Sequence, residues 1–254
     1  MDKDDLVRAF SQSSMPSYTC PHCESGKLTL VGNFETRETL ASQALHQEDW
    51  WDPDYVVLYF QCSMQCGACR DYVTLVGAGG VEREQYIDEN GNWDSSWVSY
   101  YKPSFFQPAL KLITIPESSP YAVKSLLDNA FALFFFNPGS CCNCIRMAGE
   151  QILTELGVEA SSAEKRLNFS DRIKALQGDH EAVKRLFDAI RWLGNHGSHP
   201  GDVVTHEDAY DALKIMEYLL AELYCDRKPK IEKLVAAINE RKGPLGRARR
   251  GLDL

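Results

Sequence analysis

No stretch of this 254-residue chain approaches the roughly 18 to 20 consecutive apolar residues that a bilayer-spanning helix needs. The longest apolar run, Ala130 to Phe136, stops far short. An apolar segment behind the start is missing too: Met1-Asp2-Lys3-Asp4-Asp5 opens with acids, so no secretory leader is read. These absences argue against membrane insertion and export and predict a cytoplasmic protein. An excess of positive charge is also lacking. With 27 basic against 36 acidic residues the formal net charge is −9, which argues against a surface coated by nucleic acid while leaving room for a local basic patch. No internal repeat is found, which sets aside repeat architectures.

Cysteine, by contrast, is plentiful, with nine residues. In a reducing compartment disulfides are rare and clustered cysteines more often hold metal. Cys20-Pro21-His22-Cys23 and Cys66-Gly67-Ala68-Cys69 are two C-x2-C turns. In such a turn the backbone amides aim at the sulfurs and stabilise their charge, so each turn offers two thiolates. Two turns complete a tetrahedron. Cys20, Cys23, Cys66 and Cys69 are therefore expected to bind Zn2+, with Cys62 as an alternate for Cys66. Sulfur at every position leaves no place for water, so the ion is expected to be structural. His22 is expected outside the tetrahedron. Cys141, Cys142 and Cys144 lie inside a helical pattern and read as packing residues.

Three zones differ in texture. Residues 1–115 hold the short β-type runs Val56–Phe60 and Tyr72–Val76, with a hairpin turn at Glu89-Asn90-Gly91-Asn92. Trp50, Trp51, Trp93 and Trp97 are candidate binding anchors here. Residues 116–226 read as helices over Pro120–Phe136, Cys141–Leu156, Ser170–Leu176, Glu181–Asn195 and His206–Tyr224, with apolar stripes best hidden by antiparallel packing. Residues 227–254 are basic, with a helix over Ile231–Arg241 and a tail that reads as disordered after Gly243-Pro244.

The most suggestive segment is Ile190-Arg191-Trp192-Leu193-Gly194-Asn195-His196-Gly197-Ser198-His199. Helical geometry places Arg191 and Asn195 nearly in line, His199 continuing the row and His196 on another side. Histidine moves protons near neutral pH, and arginine stabilises charge on a phosphate oxygen. Together they would cleave RNA without metal, with the ribose 2′-hydroxyl as nucleophile. The competing reading is structural: polar residues capping a helix end and Arg191 paired with a carboxylate such as Glu150 on a neighbouring helix.

From Phe105 to Lys242 the chain resembles the domain-of-unknown-function 4145 family. The resemblance rests on Pro116 and Pro120, Ile145-Arg146-x3-Glu150-x2-Leu153, Leu167-x3-Asp171-Arg172-Ile173 and above all Ile190-Arg191-Trp192-Leu193-Gly194-Asn195-x3-His199. It implies a HEPN-like helical domain, often preceded by a cysteine ribbon. Many HEPN domains are metal-independent ribonucleases of toxin–antitoxin and phage-defence systems that work as homodimers. The resemblance thus implies catalytic roles for Arg191, Asn195, His196 and His199, with RNA as substrate or a defence-system protein as partner. The expectation is an α+β chain: an N-terminal zinc-ribbon-like β domain, then a C-terminal antiparallel helical bundle. Its function would be nucleic-acid-directed prokaryotic defence, as an endoribonuclease or as a non-catalytic module that recruits a partner.

Overall fold

A computed structural model describes residues 2–161, 166–197, 203–225 and 227–242. His199 and the tail beyond Lys242, both read from sequence above, lie outside the described residues.

Four strands form one antiparallel meander in the order β1 (Leu28–Glu38), β2 (Val57–Cys66), β3 (Tyr72–Ile87), β4 (Trp93–Gln107). β2 shows why the sheet has two unlike faces. Leu58, Phe60, Cys62, Met64 and Cys66 are buried, and the residues between them are not, as a period of two requires. On β1 the register shifts between Val31, opposite Ser63, and Glu35, opposite Gln61. Gly32, at φ 72°, supplies the left-handed turn that this bulge needs.

The centre of β3 is Gly77-Ala78-Gly79-Gly80, and here β4 closes in. A Cβ on Gly77 would lie 2.2 Å from the Lys102 carbonyl oxygen. Beyond Gly80 the β3–β4 hairpin runs on without β2, ending in a turn where Asp88 accepts the Asn90 and Asn92 amides. Trp93 and Trp97 are exposed on this arm.

The helical part is built around α4 (Pro138–Glu155), which packs on α3 (Tyr121–Leu133), α6 (Lys184–His196) and α7 (His206–Tyr224). Cys141, Ile145, Ala148 and Ile152 recur at helical spacing and are wholly buried. Asn137 caps α4 by accepting the Ser140 amide at 2.8 Å, with Pro138 in the first turn. α7 starts with a capping box between Thr205 and Asp208. Short α5 (Phe169–Ala175) is tied to the end of α4 by buried Arg172, which donates to Thr154 Oγ1 and the Val158 carbonyl, both at 2.8 Å. α8 (Arg227–Arg241) completes the described helices after two short ones in the first third, α1 (Lys3–Val7) and α2 (Leu40–Leu45).

Sheet and helices share one interior. Tyr18 meets Phe106, and Phe106 meets Phe135, each pair with ring centroids 4.8 Å apart. Buried Leu110, Leu112 and Ile113 carry the apolar surface from β4 toward α3. The chain is therefore α+β, with the sheet first and the helices after it. The two expected strands are real but longer, and β1 and β4 join them. The helix expected from Glu181 begins at Lys184, after a 3-10 turn over Gly178–Val183.

Candidate metal centre

The four cysteines of the two C-x2-C turns converge. Their sulfurs all lie within 4.8 Å of one another, with Cys20–Cys69 and Cys23–Cys66 each at 3.7 Å. That is far beyond a disulfide's roughly 2.0 Å, and all four thiols are free. The arrangement can hold a metal ion.

Local backbone geometry explains the convergence. In the first turn the Cys20 amide donates to Gly26 O (2.9 Å) and the Glu24 amide to Cys20 O (3.0 Å), with Glu24 at φ 54°. The second turn repeats the pattern: the Cys66 amide donates to Asp71 O (2.9 Å), the Arg70 amide to Cys66 O (3.1 Å), and Arg70 has φ 67°. A further bond, from the Gly67 amide to Lys27 O at 3.0 Å, joins the two turns. Gly26 lets them approach, because a Cβ there would lie 2.3 Å from Cys66 Sγ. Its role was not read from the sequence, where the only signal is a glycine three residues after Cys23.

Amides also tune the thiols. Bonds from the Ser25 and Gly26 amides hold Cys23 well below the usual thiol range, at about 5. The Cys69 and Ala68 amides lower Cys66 in the same way. At Cys69 the Asp71 amide favours the thiolate, but desolvation and the neighbouring sulfurs outweigh it and push the group up to about 12. Crowded sulfurs cannot all ionise without a compensating cation.

Cys62 is not in the cluster. It sits four residues before Cys66 on the same strand, about 13 Å away along the backbone, and burial pushes its thiol up to about 11. His22 is exposed and points to Asp71, with Nδ1 3.8 Å from a carboxylate oxygen. Cys141 and Cys142 are core residues of α4 with burial-raised thiols, in keeping with a packing role. Trp50, Trp93 and Trp97 stay exposed, whereas Trp51 packs on His46 with ring centroids 4.6 Å apart.

The Arg–Asn–His segment occupies the end of α6. Arg191 donates from Nε and Nη2 to Asp188 Oδ1, both at 3.2 Å, and its guanidinium lies 4.1 Å from the Trp192 ring centroid. His196 turns away: its Nδ1 is 2.9 Å from the Trp192 carbonyl oxygen, and the ring helps to lower the Asp208 carboxyl after the larger effect of Thr205. Arg191 and His196 make no direct hydrogen bond, and Asn195 is half-buried between them in sequence. Glu150 pairs with Arg146 on its own helix rather than with Arg191. Gly194 has a packing reason, since a Cβ there would meet the Arg146 Cβ at 2.4 Å.

Two family models match the sequence. One, described as a domain of unknown function (DUF8608), spans residues 8–106. The other, described as a domain of unknown function (DUF4145), spans residues 128–241 and takes in the motifs from Ile145 to Asn195. Among curated proteins and solved structures nothing matches the chain significantly. The segment matching DUF8608 thus holds the sheet strands and the four-cysteine cluster, and the segment matching DUF4145 is built from the helices that follow.

Proposed function

We propose that this chain is a zinc-organised recognition module directed to nucleic acid in prokaryotic defence, without a reaction of its own. The carrying observation is an outer sheet face left open to solvent, where exposed Tyr59 and Phe105 stand beside Arg37 and Lys102, which make no ion pair among the described residues, in a chain of net charge −9. Zinc is the ion that fits best. A tetrahedron with Zn–S bonds of about 2.3 Å has sulfurs about 3.8 Å apart, and the two closest pairs here are at 3.7 Å. Four sulfurs leave no open position, so the ion serves folding. The module reading is tested by gel-shift titration of the full chain with single- and double-stranded RNA and DNA. Saturable binding at physiological salt is expected, and its absence for all four overturns the reading.

A second reading is the metal-independent endoribonuclease. Arg191 favours it: Nη1 makes no hydrogen bond among the described residues and is free to meet a phosphate oxygen. His196 or His199 would then move the proton, Asn195 would orient the substrate, and a homodimer would bring two such sets together. Cleavage of total RNA in EDTA, lost in Arg191→Ala, would favour this reading over the first.

A further inference from the structure

The outer face of the sheet carries a groove of about 560 Å3, within the roughly 300–1,000 Å3 of small-ligand sites. Strand register builds it, not a sequence motif. One cross-strand row is Glu35–Gln61–Val76–Phe105, and the next is Arg37–Tyr59–Ala78–Lys102. Paired residues project to the same side of an antiparallel sheet, so both rows face outward.

Val76, Gly77 and Ala78 form the floor. Ala78 is its small outward-facing residue, and at Gly77 a Cβ would strike the β4 backbone and the inward Phe60 ring. The walls are aromatic. Tyr59 is 62% exposed and Phe105 41%, the latter stacked on Phe136 with centroids 4.7 Å apart. The strands of Tyr59 and Phe105 flank β3 and the two residues lie one row apart, which puts their backbones roughly 12 Å apart. That leaves space for one planar ring between the walls.

The polar groups are sorted by row. Arg37 and Lys102 are exposed, and the side chain of neither makes a hydrogen bond or ion pair among the described residues. In the other row Gln61 Nε2 donates to Glu35 Oε2 at 2.8 Å, presenting an amide and a carboxylate together. An aromatic slot lined by Arg37, with Lys102 beyond it at the far end of the same row and hydrogen-bonding groups in the other row, matches a nucleotide: a flat base, an anionic phosphate, and a polar base edge.

We propose that this groove seats an unpaired nucleotide of a single-stranded nucleic acid. The base stacks against Tyr59 and Phe105, the flanking phosphates meet Arg37 and Lys102, and Gln61 with Glu35 meets the base edge. An open sheet face admits a continuing strand at both ends, which a free nucleotide would not need. The proposal rests on the nucleic-acid reading above and locates its binding surface.

The test is a fluorescence-anisotropy titration of the full chain with labelled single-stranded hexanucleotides, a hairpin duplex and each free mononucleotide. Tyr59→Ala and Phe105→Ala should each weaken strand binding about tenfold, as loss of one stacking contact does. Arg37→Ala should make binding less sensitive to salt by about one counterion. Tyr121→Ala, exposed at the start of α3, should change neither. If an alanine variant misfolds by circular dichroism, Tyr59→Leu and Phe105→Leu keep the bulk and remove the π face, and the same tenfold loss is expected. Strand binding that ignores all these changes overturns the groove while leaving the nucleic-acid reading intact. Absence of binding to any nucleic acid overturns both. A mononucleotide bound as tightly as the strand, or a dimer in sedimentation that Phe105→Ala dissociates, replaces the strand with another occupant and also overturns the proposal.

Discussion

At the residue scale the cysteines are not interchangeable. Cys66 and Cys62 lie on the same face of β2, yet only Cys66 reaches the cluster, because the strand ends there and the chain turns back. Cys66→Ser is therefore expected to abolish metal binding by the cluster and lower Tm by at least ~10 °C, whereas Cys62→Ser leaves binding intact. Elemental analysis beside thermal unfolding checks both. The C-x2-C pairs were legible from spacing alone, but the choice between Cys62 and Cys66 was not, since it depends on where β2 stops. Gly26 was illegible for a similar reason: its neighbour, the Cys66 sulfur, comes from a distant part of the chain. Asp208 gives a second expectation. Bonds from the Thr205 hydroxyl and amide lower its pKa in the fold. A lowered folded pKa means that its contribution is present above the unfolded value near 4 and lost as pH falls through the folded one. Asp208→Asn should cost about 1 kcal/mol at pH 7 by urea unfolding, the usual scale of a lost cap. The difference from wild type should shrink as the solution is acidified below pH 4.

Among elements, α4 and α6 meet through small residues. Gly194 lies against Arg146, and a Cβ on Gly197 would sit 2.3 Å from the Gly139 carbonyl oxygen. Gly194→Val is expected to destabilise by about 1–3 kcal/mol, because the two helices must separate to admit it. Denaturant midpoints measure the loss, and Trp192→Phe on the exposed side of the same helix should show little of it. The helices were largely legible in the sequence, since stripes such as Cys141, Ile145, Ala148 and Ile152 carry a clear 3.6-residue period. β1 was not. Its outer face is polar, with Thr29, Glu35 and Arg37, and the shift around Gly32 breaks the alternation that marks a strand. The Arg191 segment was legible as a helix, but its pairing with Asp188 three residues earlier was not among the partners expected of it.

Over the whole molecule, the cysteine cluster and the shared interior act on the same part of the chain. The first turn leads into β1 and the second joins β2 to β3, so an ion held there would fasten one end of the sheet while Tyr18 and Phe106 join the sheet to the helices. Acid should release the metal as protons compete for the thiolates. Chelation at neutral pH should do the same without protonating carboxylates. Far-UV circular dichroism is then expected to lose its strand signal first, while the helical signal, arising mostly from the DUF4145 part, persists to higher temperature.

The bond between the two cysteine turns has a consequence for chain continuity. The stretch around exposed Trp50 connects β1 to β2, but it is not all that would hold them side by side: paired strands, and an ion shared by the two turns, would span the same gap. A protease that cuts once near Trp50 would leave two polypeptides travelling as a single particle. They would come apart most readily when a chelator removes the ion, so the ion would take over the joining role of the severed peptide bond.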